Sequence, residues 1–251
     1  MISDMRAQTN NSDDGLTTAA GRIRVDPAIH DRFPAYRLRV VFALGVTNGP
    51  SDAASTSLLY AAAKESLDQL GNAGIESDAR IAGWREAYRQ FGVKASSYPC
   101  SVEALLRRAS KGGPTSLPRV NRLVDLYNAI SLRHVLPIGG EDLDRLNGEL
   151  SLRFATGQEH SDVADRPDGS ASAPRPGEVI WADDLGVTCR RWNWRQGRRT
   201  RLAEATTNAY FIVEALTPAT PEADLDAAVF ELCAQVSKFG AEPQIRVIAF
   251  G

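Results

Sequence analysis

The chain has 251 residues, 43% of them hydrophobic and 24% charged, with a formal net charge of -2 and a pI near 6.0. That is enough apolar material for a sizeable core and too little positive charge for a global attraction to nucleic acid. Cys100, Cys189 and Cys233 lie far apart with no CxxC or Cys/His spacing, which argues against a disulfide framework and against a zinc site, so no metal or other cofactor is expected.

Residues 1–20 are polar and rich in Asn, Ser, Asp and Thr, and they are expected to form a tail ahead of one domain over 21–251. Their opening, MISDMRAQTNNSDDG, lacks the basic region and apolar run of a signal peptide. No stretch of the chain reaches the roughly 20 apolar residues of a membrane span, so the expected setting is cytoplasmic. YRLRVVFALGV (36–46) has the pattern of a central strand. The spacing of Leu58, Leu59, Ala62, Leu67 and Leu70 predicts a helix over 52–70, and that of Ile81, Trp84, Tyr88 and Phe91 a second over 78–91, stopped by Gly92. A third helix, 101–109, takes Ser101 as its N-cap.

A longer helix is expected to begin near Pro118, with Val120, Leu123, Val124, Tyr127, Ile130 and Val135 as its apolar stripe. Asn121, Asp125 and Asn128 share a neighbouring face, which either ties down loops or lines a cavity. Asp125 is expected to cap the 137–142 loop. His134 complements the helix dipole, and Gly139–Gly140 after Pro137 suggests a tight turn. Residues 148–156 form a strand candidate. Residues 161–177, rich in Pro, Ser, Asp and Gly, form a mobile loop or insertion. A hairpin over 178–183 and 186–194, a strand over 208–216, a helix over 222–238 and a last strand over 243–251 complete the chain. The strands cluster rather than alternate with helices, so the class is α+β, a single compact domain of largely antiparallel strands flanked by helices.

The chain contains no GxGxxG, GxxxxGK[ST], HExxH or GxSxG motif. It does contain a local reversal of charge. CRRWNWRQGRRTRL (189–202) carries Arg190, Arg191, Arg195, Arg198, Arg199 and Arg201 with no acid among them. In a strand, Trp192 and Trp194 would project from one face and Arg191, Asn193 and Arg195 from the other. Rings that stack on bases and guanidinium groups that hold phosphates suit a single-stranded RNA end. In the other reading the tryptophans are core and the arginines pair with the acids around Glu141 to Asp144.

Two segments, PRVNRLVDLYNAISLRHVLPIGGEDLDRLNGELSLRFATGQE and PGEVIWADDLGVTCRRWNWRQGRRTRLAEATTNAYFIVEA, resemble the B3/B4 domain of the bacterial phenylalanyl-tRNA synthetase beta subunit in a free-standing form. The resemblance covers 117–215. It rests on N-x-x-V-D-x-x-N (121–128), L-P-I-G-G-E-D-L (136–143) and R-x-x-E-x-T-x-N (201–208). It implies the α+β fold of that domain, which hydrolyses tyrosine wrongly esterified to phenylalanine tRNA. The chain would then be a deacylase acting in trans, with the aminoacylated tRNA end as partner.

On that basis Asn121, Asn128, Gly139, Gly140, Glu141 and Asp142 frame the substrate, and Glu141 and Glu214 are the catalytic candidates. Arg190, Arg191, Trp192, Trp194, Arg195, Arg198, Arg199 and Arg201 receive the tRNA. A positioned water suffices for an activated ester, so no nucleophile is required. The sequence departs from the family at Gly139, where a His is frequent, and at Ile212, where a carboxylate is typical. Glu214 lies two residues on. It shares a face with Ile212 in a regular strand, and a bulge would admit it to the pocket. The alternatives are a non-catalytic module that binds tRNA, an amino acid or a metabolite, and a small-molecule ester or amide hydrolase.

Overall fold

The computed structural model of the protein describes residues 10–166 and 168–250. In chain order the elements are α1 (Asn10–Ala20), β1 (Ile23–Val25), α2 (Pro27–Arg32), β2 (Tyr36–Leu44), α3 (Ala53–Leu70), α4 (Ala79–Gln90), α5 (Ser101–Gly112), α6 (Arg122–His134) and β3 (Ile138–Asp142). They continue with β4 (Leu150–Phe154), β5 (Val179–Asp183), β6 (Gly186–Arg190), β7 (Arg195–Gln196), β8 (Asn208–Leu216), α7 (Glu222–Val236) and β9 (Gln244–Phe250). The fold is α+β, with two mostly antiparallel sheets.

β2 shows how one strand serves two cores. Its side chains alternate, so Leu38, Val40 and Phe42 enter one core while Val41 and Ala43 enter the other. β2 lies between β8 and β9 in a sheet of order β3-β8-β2-β9, which is central as its apolar run predicts. The Val41 face is covered by α6 and α7 through Leu123, Ile130, Leu225 and Leu232. The opposite face meets Trp84 of α4 and the second sheet, β1-β4-β5-β6-β7, through Leu152 and Trp181. Within that second sheet β1 and β4 are parallel, pairing Ile23 with Leu150.

Several local expectations are corrected by packing. Residues 10–20, assigned by composition to a tail, form α1, and Leu16 and Ala19 are buried; residues 1–9 lie outside the described residues. α6 starts four residues after Pro118, because the Asn121 side chain accepts the Val124 amide at 3.0 Å and so fixes the N-cap there. Cys100, not Ser101, holds the N-cap position of α5. Asp125 accepts from Ser55 Oγ at 3.0 Å and from the Val120 amide at 3.2 Å, tying α6 to α3 rather than capping 137–142.

Gly139–Gly140 is no turn but the middle of β3. A Cβ on Gly140 would lie 2.8 Å from the Phe211 ring and 3.0 Å from Leu202, so only glycine lets the strands approach this closely. The described residues of 161–177 hold no regular strand or helix, yet Asp165 anchors them, accepting from Ser172 Oγ at 2.5 Å and facing Arg190 at 3.3 Å. Among the described residues no helix is long and apolar enough to cross a membrane.

Candidate functional site

Pairing of β3 with β8 sets Gly139 opposite Ile212 and Glu141 opposite Tyr210. Residues directly opposite share a face, so Glu141, Gly139, Ile212 and Glu214 form one floor, turned toward the second sheet. Above it lies a cavity of about 460 Å³, walled by Trp181, Trp192 and Trp194, with Asn128 of α6 at one side. Glu214 reaches the cavity from a regular strand without a bulge, and Ile212 lines it alongside.

Glu214 is buried, yet it has four donors. Its Oε1 accepts from Tyr36 Oη at 2.7 Å, Trp192 Nε1 at 3.0 Å and Trp181 Nε1 at 3.3 Å, and its Oε2 accepts from Asn193 Nδ2 at 2.9 Å. Burial holds its proton affinity above the usual carboxylate range, against the pull of these donors. Glu141 is also buried and accepts from the Tyr210 hydroxyl. Burial pushes its carboxyl up to about 7, outweighing that hydrogen bond.

The other two buried glutamates pair with arginine: Glu103 with Arg85 at 2.6 Å and Arg107 at 2.7 Å, and Glu178 with Arg190 at 2.5 Å. Among the described residues, the two glutamates on the cavity floor have uncharged donors only.

Trp192 reaches Glu214 through a turn rather than a strand, which corrects the alternation expected of 191–195. Arg191 and Trp192 are both left-handed, with φ 49° and 65°, a conformation costing about 1–2 kcal/mol per residue without glycine. Surrounding contacts hold it. Glu178 accepts from Arg190 Nε at 2.5 Å, Arg190 Nη2 at 2.9 Å and the Arg191 amide at 3.1 Å. The Trp192 ring packs edge-on against Phe33, Tyr36 and Trp84 at centroid distances of 4.7, 5.1 and 5.2 Å.

The turn also divides the arginine cluster. Arg190 is buried in its ion pairs with Glu178 and Asp165. Arg191 lies between the rings of Tyr98 and Trp194, at 3.9 and 4.3 Å. Arg199 forms a bidentate pair with Asp183 at 2.8 and 2.6 Å, so the internal partners are Glu178, Asp165 and Asp183, not the acids of 141–144. Arg198 is exposed and donates to Gly169 O at 3.0 Å. Arg195, stacked over Trp194 at 4.5 Å, and Arg201 are exposed and line the cavity with Arg108 of α5. The result is a basic rim over a floor with two buried carboxyl groups.

Of the remaining expected substrate residues, Asn128 and Gly139 line the cavity. Asn121 is occupied as an N-cap and donates to Leu202 O at 3.0 Å. The Gly140 carbonyl accepts from Gln196 Nε2 at 2.9 Å, and Asp142 accepts from Thr206 Oγ1 at 2.6 Å and the Asp144 amide at 3.0 Å. Sequence reading missed Arg108, Trp181, Asn193 and Gln196 as cavity residues. Only Asn193, set between two tryptophans inside the arginine segment, carried a local signal.

Among the described residues no group of three or more His, Cys, Asp or Glu side chains gathers as a metal site would require. No curated protein matches the chain. Among solved structures, an N-terminal fragment of the phenylalanyl-tRNA synthetase beta-subunit from Pyrococcus horikoshii is similar, at 11% identity and a TM-score of 0.46. The match covers 91% of this chain and 54% of that one, so this chain spans about half the length of the fragment. A family profile described as the B3/4 domain matches residues 83–224, more than half of the chain, from within α4 into the first turn of α7. That segment contains the cavity floor, the left-handed turn and the arginine rim, and the chain belongs to the B3/4 domain family.

Proposed function

We propose that the protein is an aminoacyl-tRNA deacylase that hydrolyses the ester of a mischarged tRNA in trans. The observation that carries this reading is the polarity of the cavity: exposed Arg108, Arg195 and Arg201 at the rim, indole walls, and Glu141 and Glu214 buried on the floor. An aminoacyl-tRNA end has matching polarity, with phosphates outermost and the amino acid innermost. Glu141 suits the role of general base, since a carboxyl that titrates at about 7 is ionised in part at neutral pH and still basic enough to take a proton from water. Asn128 and the Gly139 backbone border the substrate, and Glu214 faces the amino-acid side chain. Membership of the B3/4 domain family supports the reading, and tyrosine on phenylalanine tRNA is the first substrate to test.

The experiment is hydrolysis of a panel of aminoacyl-tRNAs by the purified protein. We expect selective deacylation of one class of ester, and a loss of about 10²–10⁴ in kcat for Glu141→Gln. Uniform inactivity across the panel would overturn the proposal.

A further inference from the structure

The floor of the cavity is long and differentiated. Tyr210, opposite Glu141, and Glu214 are four residues apart on β8, so the two carboxyl-bearing positions stand about 14 Å apart along the strand, at 3.4 Å per residue. Gly139 and Ile212 form an apolar, side-chain-poor step between them. The isolated pairing of Glu141 with Arg201 sets one of the rim arginines beside the Glu141 end. The ester end of a substrate therefore belongs at Glu141, with the phosphates at the rim beyond it, and its side chain runs over Ile212 toward Glu214.

What waits there is a carboxyl whose Oε1 already accepts three hydrogen bonds and whose Oε2 accepts one. A buried carboxylate without a countercharge is costly. Of the other three buried glutamates, Glu103 and Glu178 answer that cost with arginine, and Glu141 has only the Tyr210 hydroxyl. At Glu214 the described residues supply no cation, and the residue lines the cavity.

Resting on the deacylase reading, we infer that the amino acid accepted here has a long aliphatic side chain ending in a cation, of the lysine or arginine type. Its stem lies on Gly139 and Ile212, and its charge pairs with Glu214. The indoles of Trp181 and Trp192 wall the stem and keep water from the pair. Glu214 is thus the residue that sets specificity, while Glu141 remains at the ester.

The test compares amino-acid amides whose side chains differ in charge. Binding of L-lysinamide, L-norleucinamide, L-argininamide, L-citrullinamide and L-tyrosinamide to the purified full chain is measured by calorimetry. We expect each cationic amide to bind at least about tenfold tighter than its uncharged partner, and Glu214→Gln to bring that ratio close to one. The wild-type ratio needs no variant, so a Glu214→Gln protein that fails to fold leaves the test intact. Ratios near one, tyrosinamide binding tightest, or no binding at millimolar concentration would each overturn the inference. The aminoacyl-tRNA panel separates this result from the function. Hydrolysis of uncharged aminoacyl esters alone removes the inference and leaves the deacylase. Cation-selective amide binding with no hydrolysis of any ester does the reverse.

Discussion

Glu141 links the protein's stability to pH. Its carboxyl titrates near 4.5 in an unfolded chain and at about 7 in the folded one, because burial disfavours the charged form. Between those values the folded state holds more protons than the unfolded state. Its contribution to stability is therefore present in full below about 4.5 and is lost as the pH rises through 7, by at most about 3 kcal/mol. Glu141→Gln removes the titration. Urea denaturation of both proteins at pH 5 and pH 8 should show the wild type losing more stability than the variant over that interval, and equal losses would refute the assignment. At this scale the sequence singled out Glu141, Gly139, Trp192 and Trp194, yet it missed Trp181 and could not separate Trp192 from Trp194. The left-handed pair at 191 and 192 has no glycine or asparagine to announce it, and it is imposed by Glu178 and by the rings around Trp192.

For whole elements, the decisive residues are those that stop or join a helix or strand. Asn121 stood among the substrate candidates because it shares a helical face with Asn128, but it works as the N-cap of α6 and as a clamp on the Leu202 carbonyl. Asn121→Ala should cost about 1–2 kcal/mol of stability, read from the urea midpoint, with the cavity walls retained. Loss of ligand binding at unchanged stability would return Asn121 to the site. The strands β2 and β8 were legible because burial on two faces leaves a long, nearly continuous apolar run. β3 was not, since Gly-Gly indicates a turn locally and becomes a strand only against Phe211, 71 residues further along the chain. α1 was obscured by a polar composition that conceals the buried Leu16 and Ala19.

Across the whole molecule, a net charge of -2 hides an uneven arrangement. Much of the arginine segment is neutralised internally, and the cations lining the cavity are Arg108, Arg195 and Arg201. Binding of a tRNA acceptor end should therefore weaken with salt, and the double variant Arg195→Ala, Arg201→Ala should flatten the log-log salt slope by about 1 to 1.5. An unchanged slope would place RNA elsewhere on the surface. The α+β class could be inferred from the clustering of strands. The division into two sheets facing one another across a cavity could not, because it depends on which strands become neighbours after residues far apart in sequence meet.

The chain has four tryptophans, and three of them, Trp181, Trp192 and Trp194, line the cavity while the fourth, Trp84, touches Trp192 at 5.2 Å. Two of the three donate their indole N–H to the same carboxyl group. Three of the four indoles thus lie on the cavity wall, and on the proposed reading the arrival of a charge at Glu214 would change their emission. Occupancy can be followed in real time with no label, and the kinetics of entry and release are open to stopped-flow measurement on the native chain.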